Sequence, residues 1–222
     1  VNFTSWQRLS AELVGTAGIV AVVLGASHMA ANLEAAPAID LIMNVLATAG
    51  ALFVLISVFS SMSGAHFNPV VTLALLVRKE LSAALALGYV LVQVAGAVLG
   101  AILANLMFSD HAIAASSIER SGAGVFLGEV IASFGLVLLI LLLSQQGKSN
   151  LIPVAVPLWI LAGYFFTAST SFANPAVTIG RAFSDAGSSI AWSSVSMFIA
   201  AQILGAVMAV GTAAFFRSKT ER

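Results

Sequence analysis

Two Asn-Pro pairs are the residues in this chain best placed to do chemistry. They lie in SGAHFNPVVT, residues 63–72, and in TSFANPAVT, residues 170–178. Asn68 precedes Pro69 and Val70; Asn174 precedes Pro175 and Ala176. Asparagine is a favoured helix cap and proline is tolerated in the first turn, so each pair marks a helix start. A helix start presents unpaired N–H groups and about half a positive elementary charge. The Asn side chain adds an amide donor beside it. Inside hydrocarbon such groups are tolerated only where they line protein or a water-filled cavity. A neutral hydroxylated solute can accept these bonds, whereas a cation would meet two positive ends and lose hydration it cannot recover. Two such starts, at equivalent places in two halves, point to a pore between them.

The surrounding sequence must hold both starts within a membrane. Of 222 residues, 60% are hydrophobic and 8% charged, and the mean hydropathy is +1.05, the balance of an integral membrane protein rather than a soluble domain. About 20 apolar residues cross a bilayer as a helix. Six spans are expected near 9–31, 40–61, 82–108, 122–145, 151–169 and 190–216. Two apolar windows, 41–77 and 149–180, are too long for one span each. Their excess pieces, 68–77 and 174–183, are each about 15 Å long as helix, half the hydrocarbon thickness. Such lengths suit re-entrant half-helices that begin at the midplane. Helices lying on the surface are the alternative, but VVTLALLV lacks the charged face they would need.

With both termini on one side, Arg8, Arg78, Lys79, Lys148, Arg217, Lys219 and Arg222 share it, and only Arg120 and Arg181 fall opposite, seven against two. The positive-inside rule then makes the terminal side cytoplasmic. The opposite loops collect Glu34, Asp40, Asp110, Glu119 and Asp185. The expected location is the cell inner (plasma) membrane, multi-pass, with both termini cytoplasmic. The first Asn-Pro loop would enter from the cytoplasm and the second from outside. The first apolar stretch is too long for a signal h-region and is read as a span. There is no cysteine, hence no disulfide, thiolate metal site or redox switch. No metal or cofactor is expected, and the zero net charge argues against nucleic-acid partners. Nothing supports an enzyme, since no acid and base are paired in a cleft.

The halves repeat beyond the Asn-Pro motif. AELVGTAGIVAVVL from Ala11 matches GEVIASFGLVLLIL from Gly128, setting Glu12 opposite Glu129. YVLVQVAGAVLGAILA from Tyr89 matches MFIAAQILGAVMAVGT from Met197, pairing Gln93 with Gln202 and Gly96 with Gly205. Three spans per half is an odd number, so the second half must be inverted. The fold class expected is an all-α membrane protein, six transmembrane helices plus two re-entrant half-helices. It forms one channel domain over 1–222 with inverted repeats at approximately 8–109 and 121–216. Gly96, Gly100, Gly205 and Ala209 follow the small-xxx-small spacing of close helix packing.

These features together resemble the aquaporin or major intrinsic protein family over nearly the whole length: two Asn-Pro-small motifs, a Glu in spans one and four, and the SGAHFNP run. The resemblance implies that the half-helices meet as a seventh pseudo-span, and that the protein is a homotetramer in membrane lipid with one pore per protomer. It implies that carbonyls of Gly64, Ala65 and His66, and of Thr170, Ser171 and Phe172, line the path. Glu12 and Glu129 would accept hydrogen bonds from those loops and hold them extended. Ionisable groups inside spans are costly unless satisfied, and proton coupling is the competing role for the two Glu. His66 is read as a loop-orienting or pore-facing group, with pH gating as its alternative. His28 and His111 fall at the rim.

The family's constriction is carried over by distance from the two Asn: Thr48 twenty residues before Asn68, and Ala162, Ser171 and Val177 at twelve before, three before and three after Asn174. Thr48 replaces the Phe or His of water-selective members and the Trp of many glycerol conductors. Val177 replaces the usual arginine. A Thr, Ala, Ser and Val ring would lack a large aromatic side and a fixed cation, so it should be wide and weakly polar. The implied cargo is small neutral solutes, glycerol-like polyols and trihydroxy-metalloids, with some water. Similar bacterial members carrying TSFANPAVT are associated with arsenic resistance, which implies arsenite. Arg181, at the outer vestibule, either faces the pore or pairs with Asp185 at i+4; pairing is the favoured reading.

A water-selective channel is one alternative. A secondary transporter is another, because inverted repeats with broken helices also describe carriers, although the span interiors hold no Asp, Lys or Arg. A junctional role has little surface to work with, given short loops and a tail of only residues 217–222.

Overall fold

The computed structural model describes residues 2–108 and 111–217. Asp110, Lys219 and Arg222 of the charge count lie outside the described residues. The described chain is helical throughout, in the order α1 (Ser5–Asn32), α2 (Pro37–Ser63), α3 (Pro69–Val77), α4 (Ala83–Phe108), α5 (Ala123–Gln145), α6 (Ile152–Phe166), α7 (Pro175–Arg181) and α8 (Trp192–Phe215). Six of these are long and apolar enough to span a membrane, α6 together with the 3-10 turn Ser149–Leu151 before it. The two short ones, α3 and α7, begin at the Asn-Pro pairs.

Local chemistry sets the ends. A capping box between Thr4 and Gln7 starts α1, and Pro37 in the first turn starts α2. α2 stops at Gly64, whose φ of 92° a side chain would disfavour. α6 stops at Phe166, short of the 169 expected. Thr167 turns back to bond the Gly163 carbonyl through Oγ1 at 2.6 Å, and Ser169 Oγ accepts the Ser171 N–H at 3.2 Å. These short polar side chains supply the backbone with partners outside the helix.

Helices in lipid associate through close packing and internal polar bonds, since burial against neighbours gains little over burial in tails. A Cβ on Gly96 would lie 2.4 Å from the Leu13 carbonyl oxygen, and one on Gly100 2.3 Å from that of Ala17. The other half mirrors this, with Gly205 2.4 Å from the Val130 carbonyl oxygen. α4 therefore lies against α1, and α8 against α5, backbone to backbone. Gly180 seats α7 on α4 in the same way, 2.7 Å from the Ala97 carbonyl oxygen. The outward faces carry exposed Leu46, Phe53, Val58, Leu87, Leu91 and Val207, whereas Glu12, Gln93, Glu129 and Gln202 are buried.

Candidate functional site

The loops before the two Asn adopt one conformation twice. Gly64, Ala65 and Phe67 have φ of 92°, 49° and 49°, and Thr170, Ser171 and Ala173 have 60°, 52° and 49°. Left-handed backbone at a non-glycine residue costs about 1–3 kcal/mol and persists only where the surroundings enforce it. The enforcing groups are the two buried carboxylates. Glu12 accepts the N–H of His66 at 2.9 Å and of Phe67 at 2.6 Å, plus the Ser63 hydroxyl at 2.6 Å. Glu129 accepts the N–H of Phe172 at 2.8 Å and of Ala173 at 2.9 Å. Each is itself clamped by a glutamine. Gln93 Nε2 donates to Glu12 at 2.8 Å and to Thr72 Oγ1 at 3.0 Å; Gln202 Nε2 donates to Glu129 at 2.6 Å and to Thr178 Oγ1 at 2.9 Å.

The asparagines join the halves. Asn68 Oδ1 accepts the Val70 N–H at 3.0 Å, and Asn174 Oδ1 accepts those of Ala176 at 3.0 Å and Val177 at 3.2 Å. Capping fixes the amide plane and aims Nδ2 away from the helix. Asn68 Nδ2 then donates to the Ala173 carbonyl, and Asn174 Nδ2 to the Phe67 carbonyl, both at 2.8 Å. An amide nitrogen carries two hydrogens, so one donor of each Asn remains for a passing molecule. Pro69, Val70, Pro175 and Ala176 are buried behind them.

Both Asn line a cavity of about 700 Å³. It runs from Arg8 and Glu80 at one end, past Gly64, Ala65, His66 and Asn68, to Asn174, Phe172, Ser171 and Val177. At the far end it reaches Thr48, Tyr164 and Arg181. His66 Nδ1 lies 3.0 Å from Thr72 Oγ1 and its ring meets the edge of Tyr89. At the near end Arg8 Nε donates to the Tyr89 hydroxyl at 3.0 Å, which donates to the Ser63 carbonyl at 2.7 Å.

Three expectations need correction. Ala162 is exposed on the outside of α6 and does not line the cavity; Tyr164 does. Counting back twelve residues assumes a fixed loop length, and a two-residue offset turns a helix face by about 200°. The signal available was a hydroxyl that a buried tyrosine must satisfy in an otherwise apolar helix. Thr170 is absent from the lining, its N–H turned back toward the Thr167 carbonyl at 3.3 Å. Arg181 makes no pair with Asp185 among the described residues. α7 ends at Arg181, so no helical turn carries the i+4 spacing onward. Arg181 is instead 2% exposed, donates through Nε to the Ser188 carbonyl and lies over the Phe172 ring, Cζ 3.4 Å from its centroid. The cavity therefore does have a guanidinium and an aromatic side chain at this end.

A model of the Major intrinsic protein family matches residues 1–173. The chain belongs to that family. This major intrinsic protein is 41% identical over 209 residues to Aquaglyceroporin AqpS of Rhizobium meliloti (strain 1021), across 94% of this chain and 89% of that one. It is 27% identical to Glycerol uptake facilitator protein-like 6 of Lactiplantibacillus plantarum, across 91% of this chain and 94% of the relative. The structure of the aquaglyceroporin from Plasmodium falciparum shares the fold with a TM-score of 0.76 at 22% identity, covering 98% of this chain and 97% of that one. As a major intrinsic protein the chain is a multi-pass membrane channel and not an enzyme.

Proposed function

We propose that the protein is a passive channel for small uncharged solutes, conducting glycerol-like polyols and trihydroxy-metalloids such as arsenite, with some water. The observation that carries this reading is the pair of crossed Asn amides, one donor of each left toward a single cavity. A hydroxylated solute trades its water for these donors and for loop carbonyls held outward by Glu12 and Glu129. A cation has no such exchange, because both helix starts present positive ends. The similarity to an aquaglyceroporin and to a glycerol uptake facilitator-like protein favours solutes larger than water. The two Glu are occupied by loop N–H groups, which favours a structural role over proton coupling and a channel over a carrier. Surrounding lipid, an inner-membrane location with cytoplasmic termini, and a tetramer with one pore per protomer belong to the same proposal.

The test is stopped-flow flux in proteoliposomes across water, glycerol, urea and arsenite. Glycerol and arsenite flux should rise linearly with concentration and exceed that of empty vesicles. Saturation together with ion dependence would show a carrier, and flux of water alone would show a water-selective pore.

A further inference from the structure

At the α7 end the cavity stops at Val23, Thr48, Tyr164 and Arg181, and no described residue beyond them along those helices lines it. These residues bound that end of the cavity. Val177, where the family usually has arginine, presents only an isopropyl group there. Arg181 follows four residues later, about 6 Å farther along the α7 axis. Helical side chains, however, lean toward the N-terminus of their helix, so a residue covers the surface one turn before its own Cα. The Arg181 side chain does this. Its guanidinium packs on Phe172, a residue of the loop that precedes α7. The Ser188 carbonyl holds Nε, and Tyr164 lines the same end of the cavity as Arg181.

Tyr164 is fixed in turn. Its hydroxyl donates to Asn44 Oδ1 at 3.1 Å and lies 3.4 Å from Thr48 Oγ1. Asn44 Nδ2 donates to the Val23 carbonyl at 2.8 Å and to Ser27 Oγ at 3.1 Å. No carboxylate pairs with Arg181 among the described residues, so its charge is not cancelled locally.

We propose that Arg181 and Tyr164 form the specificity-determining ring of this channel, the guanidinium being delivered from one turn beyond the position that Val177 leaves vacant. The ring offers a planar donor fork, two hydroxyls from Tyr164 and Thr48, and an apolar wall from Val177. That set fits solutes with adjacent hydroxyl oxygens that can accept from the fork while a carbon or metalloid face slides along the valine. Asn44 is a positioning residue for the ring. This inference rests on the channel reading and names what selects its cargo.

The experiment compares flux of water, glycerol and the longer polyols erythritol and ribitol in proteoliposomes. Arg181→Ala should open the ring and raise the ratio of ribitol to water flux about tenfold, since pore width and lining donors set selectivity. The double variant Val177→Arg with Arg181→Ala should bring the ratio back near the wild-type value, because the fork then starts one turn earlier. Arg181→Lys keeps the charge and loses the planar fork. It should raise the ratio about threefold, and it serves if the alanine variant does not fold by gel filtration and circular dichroism. An unchanged ratio in folded Arg181→Ala and Arg181→Lys, or a double variant that behaves like Arg181→Ala, would overturn the ring. Wild-type vesicles that pass no polyol faster than empty ones would defeat the channel reading itself, and this inference with it.

Discussion

At the scale of single residues, the site is a problem in satisfying backbone donors. Ala65, Phe67, Ser171 and Ala173 sit in left-handed backbone whose cost is met by Glu12 and Glu129. Glu129→Ala would strand the N–H groups of Phe172 and Ala173, each orphaned donor costing about 1–3 kcal/mol. The melting temperature in detergent should fall, and solute flux should be lost, while Glu119→Ala, at an exposed loop residue, should change neither. That the loop N–H groups satisfy Glu12 and Glu129 came from the family resemblance; that the two Glu must be satisfied was legible in the chain. Arg181 and Tyr164 were not. Their placement depends on where α7 ends and how α6 is rotated, and neither is encoded in a count of residues from Asn174.

At the scale of elements, packing rests on glycines that let main chains touch. The length of the apolar windows gave all eight helices, the short pair included, because the Asn-Pro signals fall midway through windows too long for one span. The end of α6 was misjudged by three residues, since Thr167 and Ser169 are small enough to pass for span residues and act as turn formers only through their hydroxyls. Gly205→Ala would drive a methyl to 2.4 Å from the Val130 carbonyl oxygen and force α8 away from α5. Overpacking of this kind costs about 1–3 kcal/mol, and thermal melting should read it. Gly211→Ala, with nothing within 4 Å of the added methyl, should melt no lower than the parent, since alanine favours the helix over glycine.

At the scale of the whole molecule, the proposed orientation rests on the distribution of charge. The chain has no cysteine, so a single introduced thiol reports its own side of the membrane. Gln146→Cys, in the loop between α5 and α6, should react with an impermeant maleimide only after cells are opened. Ser117→Cys, between α4 and α5, should react in intact cells. The opposite pattern would invert the positive-inside assignment. The crossed hydrogen bonds from Asn68 to the Ala173 carbonyl and from Asn174 to the Phe67 carbonyl have a consequence for biosynthesis. The side-chain amide of each asparagine finds its acceptor in the other loop. A nascent chain that stops short of α7 lacks both cross-loop bonds, so this part of the lining is completed only when the second half-helix is in place.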